Sequence, residues 1–494
     1  MSDERTAMVD LWQRWARERA DEPALTVSHE TRTWSELQSR SNRLARAYAD
    51  LGVQEGDYVS IGFATSIAFV ESMLAALKLG AVPQPLSWRL PAPELTKLVE
   101  LLRPRLVLGY PEGTHPGVLC LRDNPDLDGY PDDPLPRVVA RAFKAAASGG
   151  STGRPKIILS GSPAEIATVD GDPVPQFAIG TGSVALFPGP LYHNTALTGT
   201  LMGLSIGAHV VLEEAFDAEL TLALMERQRV TMALVVPTHM QRISRLDGAV
   251  RDRYDLSSLQ VLMHNAAACP PDLKRQWIDW LGPERIIENY TSTEQTAVAS
   301  CNGVEWLAHP GTVGRVVQGE MAILDDDGKP LPPGTVGAIW MRRAAGSGAT
   351  YRYVGAESHE RADGWDTVGD LGWMDEDGYL YLADRRTDMI ISGGANIYPA
   401  EIEGELAAHP DVLDCVVVGL PDDDLGKRVH AIVHTDSAAL DQQALAAFLE
   451  TRLVRYKTPR SYEFVSTPLR DDAGKVRRSA LAGERAASRE EAPA

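Results

Sequence analysis

Short runs of apolar, often β-branched residues alternate along this chain with longer stretches whose apolar positions recur every three to four residues. Tyr58 to Gly62 reads as a strand, Ala68 to Leu79 as a helix closed by Gly80, and Ala81 to Pro83 as the next strand. Further strands are predicted at Val230 to Pro237 and Leu259 to Met263. This rhythm predicts layered α/β sheets with crossover helices. Near the start, Val9, Leu11, Trp12 and Trp15 form the apolar stripe of an amphipathic helix. Val313 to Met341 reads instead as short strands, with turns at Asp326-Asp327-Gly328 and Pro333-Gly334, and predicts a small β-rich, barrel-like subdomain.

A boundary is expected where the charged string Asp384 to Asp388 separates the strand-like Tyr379 to Leu382 from Met389 to Ser392. Residues 1–386 then form a large N-terminal domain and residues 387–494 a small α+β domain. The small domain has an apolar run at Val416 to Val418, a strand at Val429 to Val433 and a helix over Asp441 to Leu453. The tail from Gly483 is expected to fray. No repeat of fixed period is evident.

Phe177 to Leu212 contains no Asp, Glu, Lys or Arg and has to be checked as a membrane span. Pro188, Pro190 and the polar run Tyr192 to Thr195 interrupt it. A helix from about Thr195 to Gly207, followed by a strand through His209 to Leu212, explains it as buried core.

Composition narrows the picture further. In 494 residues, 44% apolar and 23% charged side chains suit a folded protein of more than one core. The net charge of -20 opposes non-specific attraction to nucleic acid or anionic membranes, so a polyanionic ligand needs dedicated local cations. Cys120, Cys269, Cys301 and Cys415 lack the spacing of a disulfide framework or a zinc site. The charged N-terminus lacks the apolar core of a secretory signal, and a cytoplasmic protein is expected.

Ser148-Gly149-Gly150-Ser151-Thr152-Gly153-Arg154-Pro155-Lys156 carries the first chemistry. Its glycines let backbone N–H groups approach an anion, its hydroxyls add donors and Lys156 adds charge. Phosphate binding is one reading, and a flexible Gly/Ser turn is the other. A Walker loop is excluded, because Arg154 and Pro155 intervene between the last glycine and Lys156. No GxGxxG follows a strand with an acidic residue at dinucleotide spacing.

The stretch SGGSTGRPK resembles the phosphate loop of the adenylate-forming superfamily, which includes acyl-CoA synthetases, peptide-synthetase adenylation domains and luciferases. The resemblance continues in the family's order. It runs through Pro190 to Asn194, Glu288 to Glu294, Asp366 to Leu371, Asp384 to Asp388, Ser392 to Pro399 and Asp472 to Arg477. The acyl-CoA ligase branch fits best, through MIISGGANIYPAEIE at Met389 to Glu403.

The resemblance implies ATP, Mg2+ and coenzyme A as reactants and a site distributed over the chain. Ser148, Gly149, Gly150, Ser151, Thr152 and Gly153 would hold phosphate with Lys156, while Ala266, Ala267 and Ala268 would lie along adenine. Asn289 and Tyr290 would flank the base, Thr293 would meet phosphate, Glu294 would hold Mg2+, and Asp370 with Arg385 would hold the ribose. Lys475 is implied as the mobile lysine of adenylation and Thr387 as the hinge. Gly393 and Gly394 are implied to line the pantetheine channel. Tyr192, His193, Asn194 and His264 are expected at the acyl pocket, with His193 gating or positioning the substrate. Two positions depart from the family pattern: Thr387, where Asp or Lys is common, and Gly337-Ala338, where Gly-Glu is usual.

The implied activity is an ATP-dependent carboxylic acid:CoA ligase that works through an acyl-adenylate. The alternatives are loading of a carrier protein, or only one of the two half-reactions. A regulatory protein without turnover would not need Lys156, Glu294, Asp370 and Lys475 together. A medium or large apolar acid is the expected substrate, and a homodimer is compatible with the sequence.

Overall fold

The computed structural model describes residues 4–149, 155–325, 327–344, 346, 348–422, 424–471 and 474–490, leaving aside the side chains of residues 148, 149, 155 and 487–490. The apolar runs organise the larger domain. Six strands lie side by side and parallel in the order Pro23–Val27, His209–Leu212, Val184–Phe187, Met232–Val235, Val261–His264 and Ile286–Thr291. Every residue of His209–Leu212 and Met232–Val235 is buried, as expected for strands covered by helices on both faces.

The uncharged stretch is one of these covers. Asn194–Ile206 is a helix buried from Ala196 onward, and Gly207 ends it in the left-handed conformation. The N-terminal helix Met8–Glu18 packs on it through Met8, Leu11, Trp12 and Trp15. Two indole N–H groups donate at 3.1 Å, Trp12 to Ser205 Oγ and Trp15 to the Ser205 carbonyl, which satisfies the polar edges of these buried rings. Among the described residues no helix is long and apolar enough to cross a membrane.

Beyond Ile286–Thr291 the sheet turns antiparallel through Val298–Asn302 and Thr312–Gln318. It then continues through Leu380–Arg385, Asp370–Met374, Gly337–Arg342 and Glu320–Leu324. The β-rich unit expected around Val313 to Met341 is therefore joined to the main sheet through one strand pairing. A separate parallel sheet holds Tyr58–Ile61 and Val82–Pro85, and a three-stranded antiparallel sheet holds Ala145–Gly149, Pro155–Ser160 and Tyr351–Val354.

The small domain has its own core, in which Ile390, Ile397, Ile402, Leu406, Val417, Val433 and Leu449 meet. Its sheet pairs Asp414–Asp422 with Gly426–His434, and the latter with Ser461–Val465. Pro399–Ala407 is a helix with proline in its first turn, and Gln442–Glu450 is a helix capped by the Asp441 carboxylate. The tail departs from expectation. Arg478–Glu490 is helical straight through Gly483, because its apolar side packs on the small sheet at Leu481 and Ala482. Arg485 adds two hydrogen bonds of 2.8 Å to Glu463.

Candidate active site

The larger domain collects the predicted residues at the carboxyl ends of its parallel strands, where ligands of open α/β sheets sit. Ser148 pairs with Lys156 and Gly149 with Pro155 across two antiparallel strands. Gly150, Ser151, Thr152 and Gly153 lie outside the described residues. Lys156 Nζ is 3.4 Å from Glu294 Oε1 and 4.0 Å from the centre of the Tyr353 ring. The Tyr353 hydroxyl donates to the same carboxylate oxygen at 2.6 Å. Glu294 is thus a buried carboxylate fixed on one oxygen, a donor of the hard type that a magnesium ion prefers. Tyr353 carries no motif signal. It reaches Glu294 because Tyr351–Val354 pairs with Pro155–Ser160 and turns Tyr353 to the Lys156 side.

Asp370 and Arg385 face each other across adjacent strands, with Arg385 Nε 3.2 Å from Asp370 Oδ1. Tyr290 closes the group by donating its hydroxyl to Asp370 Oδ2 at 2.8 Å. Burial lifts the Asp370 carboxyl above its ordinary value, opposed by Arg385 and by the Tyr290 hydrogen bond. Asn289 points its amide at Met263 Sδ, 3.1 Å away, and Thr293 is half-buried in the turn before Glu294. Ala266, Ala267 and Ala268 are exposed just past the end of Val261–His264, and Ala266 adopts a φ of 72°. The sequence alone gave no sign of that strained backbone.

The small domain sends one turn into this region. Gly474 has a φ of 72°, and a methyl group placed there would come within 2.6 Å of Thr238 Oγ1. The turn is therefore seated against the N-terminus of the helix Pro237–Ser244. It brings Asp471 to 3.9 Å from His193 Nε2 and sets Lys475 beside it. Lys475 is exposed to the cleft yet surrounded by its walls. That enclosure lowers its pKa, with Arg385 adding to the effect and Asp471 and Glu294 opposing it. Burial and the Lys475 charge push His193 down to about 3, so the ring is neutral at physiological pH.

His193 precedes the first turn of the Asn194–Ile206 helix, and Tyr192 stands beside it with ring centroids 4.5 Å apart. Asn194 accepts a hydrogen bond from the ammonium of Lys144, a buried lysine absent from the motif reading. His264, expected at the acyl pocket, is a buried residue at the end of its strand. It lies alongside Glu288 in the parallel sheet, and Glu288 is bonded at 2.5 Å to Lys274 of the helix Pro271–Leu281. The register puts both side chains on the same face of the sheet. His264 is fully buried there.

Thr387 is exposed at the junction of the domains, where Arg386 N–H donates to the Gly369 carbonyl and the Asp388 and Met389 N–H groups donate to the Arg385 carbonyl. Gly393 and Gly394 form the exposed tip of the hairpin Ile390–Ser392 and Ala395–Ile397, with φ of 55° and 80°. That tip packs on Leu425 of the same domain, on a different element from the Lys475 turn.

Residues 12–351 match the family described as AMP-binding enzyme, and residues 401–475 match its C-terminal domain. The chain belongs to the AMP-binding enzyme family. A feruloyl-CoA synthase from an Amycolatopsis species is 32% identical to this AMP-binding enzyme over 468 residues, covering 90% of this chain and 92% of its own. A fatty acid–[acyl-carrier-protein] ligase from Streptomyces coeruleorubidus is 29% identical, covering 93% and 92%. Among solved structures, an anthranilate CoA ligase in complex with anthranoyl-AMP superposes with a TM-score of 0.81 over 98% of each chain. At 22% identity that likeness bears on the fold.

Proposed function

We propose that one cleft carries both half-reactions of an AMP-forming acid–thiol ligase, with the residue roles set out below. The chain is an ATP-dependent carboxylic acid:CoA ligase that forms an acyl-adenylate and then the thioester. The observation that carries the assignment of roles is the convergence of Lys156, Glu294, Asp370, Arg385 and the small-domain Lys475 around one cleft.

In the first step a carboxylate oxygen of the acid attacks the α-phosphorus of ATP. The bond to the β-phosphate breaks and pyrophosphate leaves. Asp370 and Tyr290 hold the ribose and base end, where the carboxylate can accept from both ribose hydroxyls. Lys156 holds the phosphate end, and Lys475 offsets the charge that builds at the reacting oxygens. Glu294 would hold Mg2+, which screens the phosphate charge when bound. In the second step the CoA sulfur attacks the acyl carbon, the carbon–oxygen bond to phosphate breaks, and AMP leaves. His193, neutral and beside Asp471 and Lys475, separates the acyl and thiol ends as a gate.

The domain boundary is placed after residue 386, and Thr387 is the pivot about which residues 387–494 turn between the two steps. Rotation would withdraw Lys475 and bring the Gly393-Gly394 tip to the pantetheine path. The acid is proposed to be a medium or large apolar one, aryl acids included, by likeness to the feruloyl-CoA synthase. The enzyme is placed in the cytoplasm, where ATP and CoA are supplied. A carrier-protein thiol is the second reading for the acceptor, favoured by the carrier-protein ligase among the relatives.

ATP–pyrophosphate exchange over aryl, fatty and polycyclic acids tests the first step, and silence with every acid would remove the ligase reading. Supplying CoA, pantetheine and an acyl-carrier protein separately tests the second. Turnover with the carrier alone would favour the second reading.

A further inference from the structure

Lys144 sits just before the strand Ala145–Gly149 that leads into the phosphate segment, and only 2% of it reaches solvent. Its ammonium donates to Asn194 Oδ1 and, at 2.9 Å, to Thr198 Oγ1, both on the first turns of the helix that follows His193. An ammonium has three N–H donors, so one is left with no acceptor among the described residues. Nor does any carboxylate lie within ion-pair distance of it among those residues, where Glu294 is the charged group near enough to be felt. The side chains in direct contact with the ammonium are neutral. They are Asn194 and Thr198 on the helix and the Phe143 ring at 5.0 Å. A buried cation without a counter-charge is costly, and a fold retains one where a ligand supplies the missing charge.

Resting on the ligase reading, we infer that Lys144 is a positioning residue for the acid substrate, its ammonium orienting Asn194 and charging the floor of the acyl end to receive the carboxylate. The juxtaposition also ties the phosphate strand to the helix that carries His193, so a carboxylate and a triphosphate are aligned on one rigid unit. Burial pushes the Lys144 amine down to about 7, and the positive form is lost as pH rises through neutrality.

The test uses full-length protein and ATP–pyrophosphate exchange with whichever acid of the panel gives the highest wild-type rate. Lys144→Met is expected to raise KM for the acid at least 10-fold at pH 6.5 while KM for ATP stays within 2-fold. Wild-type acid KM should climb between pH 6.5 and 8.5, and the variant's should be flat. Asn194→Asp, nearly isosteric, sets a carboxylate against the ammonium and should move that climb upward by at least one pH unit. It decides the matter should Lys144→Met not fold. An unchanged acid KM in Lys144→Met, an equal rise in both KM values, or an unmoved profile in Asn194→Asp overturns the inference. Wild-type silence with every acid removes the ligase reading and this inference together, whereas an active wild type with unmoved variants removes the inference alone.

Discussion

At Lys475 the surroundings act against each other: the enclosing cleft and Arg385 favour the neutral amine, while Asp471 and Glu294 favour the ammonium. A charge placed this way gains most when negative charge develops beside it. Removing such a preorganised group costs roughly 10²- to 10³-fold. Lys475→Ala should therefore lower acid-dependent pyrophosphate exchange by about that factor and leave CoA transfer from a supplied acyl-adenylate within a few-fold of wild type. Equal loss in both assays would contradict the division of labour. Lys144 makes a stability prediction with the opposite flavour. The folded state prefers its neutral form, so the penalty for burying the ammonium is fully present below about pH 7 and fades as pH rises toward the ordinary lysine value of 10.5. Lys144→Met should be the more stable protein at pH 6, by on the order of a few kcal/mol less the two lost hydrogen bonds, read as a higher Tm. The gap should close by about pH 10 in a thermal-melt series. A gap that stayed constant with pH would point to packing rather than charge.

Turns and hairpins carry the chemistry of this enzyme, and there the sequence was both most and least readable. Apolar periodicity placed the strand His209–Leu212 and the helix Asn194–Ile206 within a residue or two, because burial on both sides leaves no charges in such segments. Motif order placed Asp370 and Arg385, which strand pairing then set face to face. The burial of His264 beside Glu288 was not legible, because sequence spacing does not say which residue of a neighbouring strand lies alongside; the register does. Tyr353 and Lys144 lie outside the motifs, and only strand pairing and helix packing bring them to Glu294 and Asn194. Gly474 shows what one turn residue controls. A side chain there pays about 1–2 kcal/mol for the left-handed conformation and must also displace Thr238. Gly474→Ala is expected to slow adenylation about 10-fold or more, with the thioester step spared, in the same pair of assays. The Gly393-Gly394 tip should give the reverse pattern. Nothing stands within 4 Å of a methyl group placed on Gly394, so Gly394→Trp bears only the roughly 1–2 kcal/mol of its left-handed φ of 80° and should still fold. It should adenylate at the wild-type rate and lose most thioester formation, and an intact second step would refute the channel role.

At the scale of the whole molecule, few polar contacts among the described residues hold the orientation of the small domain. Arg477 pairs with Glu94 at 2.6 Å on the surface, where screening leaves such a pair worth little. Arg245 is placed differently: half-enclosed, it donates to the Val412 and Leu413 carbonyls across the interface. Beside it a cavity of about 400 Å³, lined by Gln241, Pro271, Gly404 and Arg452 among others, leaves the interface incompletely packed. An interface so loosely filled suits a domain that must leave it once per turnover, since little apolar contact has to be broken. Burial lowers the Arg245 pKa, opposed by Asp414, but the guanidinium stays charged at any working pH. Its two charge-assisted bonds are a directional tie, worth about 1.5–3 kcal/mol each after exchange with solvent is counted. Arg245→Ala should thus shift the population away from the orientation that seats Lys475. Adenylation should fall by roughly 10-fold while thioester formation from supplied acyl-adenylate holds or rises. Partial proteolysis around Asp384 to Asp388 should quicken in the same variant as the junction spends longer unseated. A variant slowed equally in both steps, with unchanged proteolysis, would show that Arg245 supports the fold of the interface rather than the choice between its two orientations.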